Sequence, residues 1–243
     1  MSFLFFILLQ MSALFALASD SDALHPATAP QPRPEQWCLD SHTVLNQKAA
    51  KGGFEVMFIG DSITWEWEAN PDTGRKVWNQ LSEFKPATFA VSGDRTEHVL
   101  WRLLHGNLDT PAAPQAVVLM IGTNNTGQRQ DSPEQIAAGT EAIIEAIRSK
   151  FPDTKILLYG IFPRGATTED AYRKNNDAAN RILSGWADKK SVFYVDISGS
   201  FLHPDGTLND RYYRDGVHLS EAGYQLWADS LKTEIPKISA VGR

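Results

Sequence analysis

The chain is predicted to fold as a three-layer α/β/α sandwich around a central, mostly parallel five-stranded sheet. Three observations carry that expectation. Apolar runs of strand length recur along the 243 residues, helical stretches lie between them, and no internal repeat breaks the alternation. Strands that alternate with helices are joined by crossovers of one hand, which set helices on both faces of a parallel sheet.

In chain order, Val56, Met57, Phe58 and Ile59 form the first strand, 55–59, which Gly60-Asp61-Ser62 stops abruptly. The second strand is 88–91. Helix 97–104 follows, with Val99, Leu100, Leu103 and Leu104 on one face. Strand 116–121 leads to helix 132–149, whose start carries a capping box of Ser132 and Gln135 with Pro133 at the first helical position. After strand 155–161, helix 168–187 is amphipathic through Ala171, Ile182, Leu183 and Trp186. Strand 192–197 and a final helix, 220–235, complete the series.

The ends of the chain read differently. Residues 1–18 are almost wholly apolar and uncharged, and Ala16-Leu17-Ala18 closes them with the small-x-small pattern of a signal peptide. A secreted or periplasmic protein is therefore expected, cleaved near Ala18/Ser19. The competing reading is an uncleaved anchor, but the segment is interrupted by Gln10 and Ser12 and is short against the roughly 20 residues of a membrane span. Residues 19–34, rich in Pro, Ala, Ser and Asp, read as a flexible leader; 35–236 form one domain, and 237–243 a C-terminal tail. No other stretch is apolar enough to cross a membrane.

Composition excludes several classes. The net charge is −6 and no basic run exists to track phosphates, which argues against nucleic acid as a partner. Cys38 is the single cysteine, so neither an intrachain disulfide nor a cysteine-based zinc site can form; a partly buried, inert thiol is expected there, with pairing between chains as the alternative. The sequence leaves open whether two chains form a homodimer.

Candidate functional residues gather at strand ends. The first strand ends in Gly60-Asp61-Ser62, the second in Ser92-Gly93-Asp94 and the third in Gly122-Thr123-Asn124-Asn125. Each has an ordinary reading: Ser62 or Asp61 as a helix cap, Gly93 and Asn124 as turn residues. Together they lie at the sheet edge where α/β proteins bind ligands. A hydroxyl nucleophile needs a base, a group that orients the base, and donors for the developing oxyanion. The N–H groups of Ser62 and Gly93 and the amide of Asn124 are candidate donors. Of the six histidines, His218 in "RDGVHLSEAG" has Asp215 three residues before it, a spacing at which carboxylate and imidazole face one side of a turn. A metal site of His203, Asp205, Asp215 and His218 is the weaker reading, since it lacks an HExxH-like pair and leaves Ser62 unexplained. No metal or organic cofactor is called for.

Gly60-Asp61-Ser62-Ile63, Gly93, Gly122-Thr123-Asn124 and Asp215-Gly216-Val217-His218 resemble, in order and spacing, the four blocks of the SGNH, or GDSL, hydrolase superfamily. The resemblance covers about residues 54–232. The run from Val91 to Asp109, with "IGTNN" and "FPRG" (Phe162 to Gly165), further resembles catalytic subunits of platelet-activating factor acetylhydrolase and their bacterial relatives. The resemblance implies the flavodoxin-like fold of that superfamily, Ser62 as nucleophile, His218 as base, Asp215 as its partner, and an oxyanion hole of Ser62, Gly93 and Asn124. It implies a serine esterase acting on short acyl esters, acetyl above all, with a carbohydrate O-acetylesterase as the form that suits an exported chain. The alternatives are a lysophospholipase or thioesterase for longer acyl chains, and a noncatalytic carbohydrate-binding module. Trp65 and Trp67, beside the nucleophile, are candidates for sugar stacking or for core packing.

Overall fold

Side chains alternate between the two faces of a strand, and here both faces are buried. The first strand, β1 (Val56–Gly60), sends Met57 and Ile59 into one apolar cluster and Val56 and Phe58 into another. Residues β3 (Ala116–Met120) and β4 (Lys155–Tyr159) divide in the same way, with Val117, Leu119, Ile156 and Leu158 on the first side. That is why these strands read as unbroken apolar runs. The computed structural model describes residues 25–240. The expected signal segment and its cleavage site lie outside the described residues.

The sheet is five-stranded in the order β2-β1-β3-β4-β5, with β2 spanning Pro86–Ala90 and β5 Val192–Val195, and every adjacent pair is parallel. Helices α1 (Gln36–Lys51), α4 (Thr96–Arg102), α5 (Pro133–Lys150) and α6 (Ala171–Ser184) contribute side chains to the first cluster. Helices α2 (Ser62–Ala69), α3 (Gly74–Trp78) and α7 (Glu221–Ala240) contribute to the second. The three-layer sandwich expected from the sequence is present. Both arms of the Ser132–Gln135 capping box form, at 3.3 and 2.8 Å.

Strand β2 lies at one edge of the sheet. It opens with Pro86, a residue that suits the start of an edge strand because it has no N–H to donate. On its open side the Thr88 N–H donates to Glu68 Oε1 at 3.0 Å, and the Thr88 carbonyl accepts from Lys48 Nζ at 3.1 Å. Lys48 and Glu68 also pair with each other at 2.6 Å.

Two boundaries differ from the sequence reading. Residues 25–34, assigned to a flexible leader, lie against the domain: Ala27 is fully buried, its carbonyl accepts from Thr96 Oγ1 at 2.9 Å, and Arg33 stands over Gly93. They pack through single residues rather than through a repeating face, so no periodicity betrays them. The tail assigned to 237–243 is also shorter. Helix α7 runs through Pro236 to Ala240, because Ile235 and Ile238 on either side of the proline are both buried and hold the helix in place.

Candidate active site

Ser62 is placed by the residues before it. A Cβ on Gly60 would strike the Thr64 side chain and lie 2.5 Å from the Met120 carbonyl oxygen, so only glycine lets β1 turn directly into α2 beside β3. Asp61 then caps the helix, its Oδ1 accepting the Ile63 N–H at 3.1 Å. Ser62 is thereby the first residue of α2, at the carboxyl end of β1, with the ends of β2 and β3 on either side.

The Ser62 Oγ is 2.9 Å from His218 Nε2, and His218 Nδ1 is 2.8 Å from Asp215 Oδ2. Asp215 Oδ1 accepts the backbone N–H groups of Val217 at 3.0 Å and His218 at 2.7 Å. Burial works to raise the Asp215 pKa. The His218 N–H, the imidazole and the Val217 N–H outweigh it and hold the carboxyl below its usual range. The structure thus joins Ser62, His218 and Asp215 in one continuous chain of hydrogen bonds.

Gly93 and Asn124 meet at Asp94. Gly93 has φ +82°, a left-handed conformation, in a turn closed by Asp94 N–H to the Val91 carbonyl at 3.2 Å. Asn124 Nδ2 donates to the Asp94 carbonyl at 2.9 Å, which leaves the second N–H of that amide for another acceptor. Among the described residues the N–H groups of Ser62 and Gly93 find no protein acceptor. The Asp94 side chain is buried on Arg102, whose Nε donates at 2.8 Å, so the turn carrying Gly93 is fixed from behind.

Other histidines are engaged elsewhere. His25 caps the turn 26–28, His98 accepts the Arg95 N–H at the start of α4, and His42 and His105 pack on Trp101. His203 is in an exposed turn in which Asp205 accepts from Thr207. Cys38 is buried, and burial pushes its thiol up to about 11. Of the two tryptophans, Trp67 is fully buried among Phe58, Trp78, Tyr224 and Trp227, whereas Trp65 is 40% exposed.

Glu66, Arg214 and Tyr224, beside the site, were not singled out by sequence. Glu66, one turn along α2 from Ser62, takes Arg214 Nη2 on both carboxylate oxygens. Arg214 Nε donates to the Leu219 carbonyl at 3.0 Å and its N–H to the His218 carbonyl at 2.9 Å, which draws the segment around His218 into a closed loop. Tyr224 OH donates to the Ile63 carbonyl at 2.7 Å. Asp61, read from sequence as a helix cap, is fully buried, and its Oδ2 has no partner among the described residues. Burial pushes this carboxyl up to about 7, against the Ile63 N–H and the attraction of His218. Glu66 and Arg214 gave no local signal.

A groove of about 560 Å³ opens beside Asp215, lined by Arg164, Tyr172, Asp210, Tyr213 and Val217. Ala166 and Leu208 add aliphatic surface to these charged and aromatic walls.

Residues 58–226 match the GDSL-like Lipase/Acylhydrolase family. The chain is 34% identical over 172 residues to platelet-activating factor acetylhydrolase IB subunit alpha2 of Rattus norvegicus, covering 70% of this chain and 71% of that one. Among solved structures it is similar to a GDSL-like lipase from Bacteroides thetaiotaomicron, with a TM-score of 0.62 and 21% identity over 82% of this chain and 97% of that chain. It is also similar to the acetyl xylan esterase AlAXEase, with a TM-score of 0.62 and 19% identity over 74% and 98%. At those identities the structural likeness is one of fold.

Proposed function

We propose that this chain, which belongs to the GDSL-like lipase/acylhydrolase family and is a carboxylic ester hydrolase, cleaves short acyl esters, acetyl above all, through an acyl-enzyme on Ser62. The observation that carries the reading is the unbroken chain from Asp215 through His218 to the Ser62 Oγ. His218 Nε2 takes the Ser62 proton as Oγ attacks the ester carbonyl; Asp215 holds Nδ1–H and stabilises the imidazolium. The oxyanion forms against the N–H groups of Ser62 and Gly93 and the free N–H of Asn124. The imidazolium returns its proton to the leaving alcohol, and water, activated by the same nitrogen, then releases the acid.

A short acyl group is supported by the names of two similar proteins, an acetylhydrolase and an acetyl xylan esterase. The small-x-small ending of residues 1–18 supports a substrate met outside the cytoplasm. Two measurements test the proposal. p-Nitrophenyl acetate should give a burst and an acetyl adduct on the Ser62 peptide, absent in Ser62→Ala. Octanoyl esters should turn over more slowly than acetyl esters; equal or faster turnover would favour a lysophospholipase or thioesterase.

A further inference from the structure

We infer that Arg164 is a specificity-determining residue that binds an anionic group, carboxylate or phosphate, on the alcohol half of the ester. The inference rests on the proposed short-acyl esterase reading: with a small acyl group, only the alcohol is large enough to occupy the groove beside Asp215.

Arg33, Arg95, Arg102, Arg129 and Arg214 each have a carboxylate oxygen within 4.0 Å. Arg164, half-buried, has none among the described residues, nor do Arg75, Arg148, Arg173, Arg181 and Arg211; of these six, only Arg164 lines the groove beside Asp215. Its Nη1 donates to the Thr123 carbonyl at 2.8 Å and to Thr123 Oγ1 at 3.2 Å, and its guanidinium carbon lies 5.0 Å from the centre of the Tyr172 ring. A guanidinium carries five N–H donors, so among the described residues Nε and Nη2 keep theirs without a protein acceptor. Burial lowers its pKa below the usual arginine value, against the more distant attraction of Tyr172, Asp170, Asp61 and Asp215.

The position is also a built one. Arg173, 1% exposed, donates from Nε to the Arg164 carbonyl and from Nη2 to the Gly165 carbonyl, fixing the backbone that carries the guanidinium. Thr123 adjoins the oxyanion candidate Asn124, and the groove that Arg164 lines is shared with Asp215. A planar fork with free donors, held between those two, matches a carboxylate or phosphate borne by a bound alcohol. At about 560 Å³ the groove is of the size that holds a small ligand.

The test compares acetyl esters that differ only in charge: acetylated methyl glucuronoside against acetylated methyl glucoside, and acetylglycerol phosphate against acetylglycerol. Wild type should favour the anionic member of at least one pair by about tenfold or more in kcat/KM, chiefly through KM, and less so at high salt. The pair that responds identifies the anion. In Arg164→Gln the ratio should fall to about one, and Arg164→Lys should retain part of it. A structural fault would lower both members together and leave the ratio unchanged. Ratios near one in wild type, or a preference that survives in Arg164→Gln, would overturn the inference while the esterase reading stands. If wild type fails to hydrolyse p-nitrophenyl acetate, the esterase reading fails, and this one with it.

Discussion

Glu66 and Arg214, separated by 148 residues, meet with Arg214 Nη2 at 2.6 and 2.7 Å from the two carboxylate oxygens. The pair ties the helix that begins at Ser62 to the loop that carries Asp215 and His218. Glu66 is nearly buried while Arg214 is partly exposed, so its worth lies between that of a surface pair and a buried one. Glu66→Ala should cost about 1–3 kcal/mol in stability. It should also lower kcat at temperatures where the variant remains folded, because His218 loses a restraint on its distance from Ser62. Restored kcat in Glu66→Asp, or a kcat that never changed despite a lower Tm, would respectively support and sink the positioning role.

Asn124 should matter more to rate than to fold. Losing its bond to the Asp94 carbonyl should cost on the order of 1 kcal/mol of stability. If its second N–H meets the oxyanion, Asn124→Ala should lower kcat by about 10²–10³ with a small change in KM. A large fall in Tm with near-normal kcat would make Asn124 a turn residue only.

Asp61 should make the protein less stable as pH rises. Its carboxyl goes from an unfolded value near 3.8 to about 7 when folded, so the folded state holds the extra proton between those values. Over that window stability falls with pH, in sum by about 2–4 kcal/mol, and is flat above it. Asp61→Asn keeps an oxygen for the Ile63 N–H and removes the titration. The wild-type-minus-variant difference in unfolding free energy, measured by urea from acid to neutral pH, should decline through the window. Parallel curves would mean that Asp61 ionises normally.

The strands were legible because both sheet faces are covered, which left Val56, Met57, Phe58 and Ile59 with no polar interruption. Helix α1 was not, since only Cys38, Leu45 and Ala49 of its sixteen residues are buried and its remaining surface reads as a polar linker. The candidate site was visible where small residues punctuate strand ends, at Gly60 and Gly93. Its supports were not. Glu66 lies in "TWEWE", where the tryptophans dominate the pattern, and a pair formed across 148 residues leaves no mark on either neighbourhood. "FPRG" was noticed as a motif, but a missing counter-ion for Arg164 is a fact of three dimensions.

The open side of β2 has a consequence for molecules that meet at high concentration. An exposed edge strand offers its N–H and C=O groups as a template on which another chain can extend the sheet. At Thr88 both groups are already taken, by Glu68 and Lys48, and a second molecule would have to displace a charged pair to add a strand there. The pair therefore acts against self-association through the sheet. Replacing Lys48 and Glu68 together by alanine should bring earlier light scattering on concentration or mild heating, and unchanged scattering would show that the edge is guarded by something else.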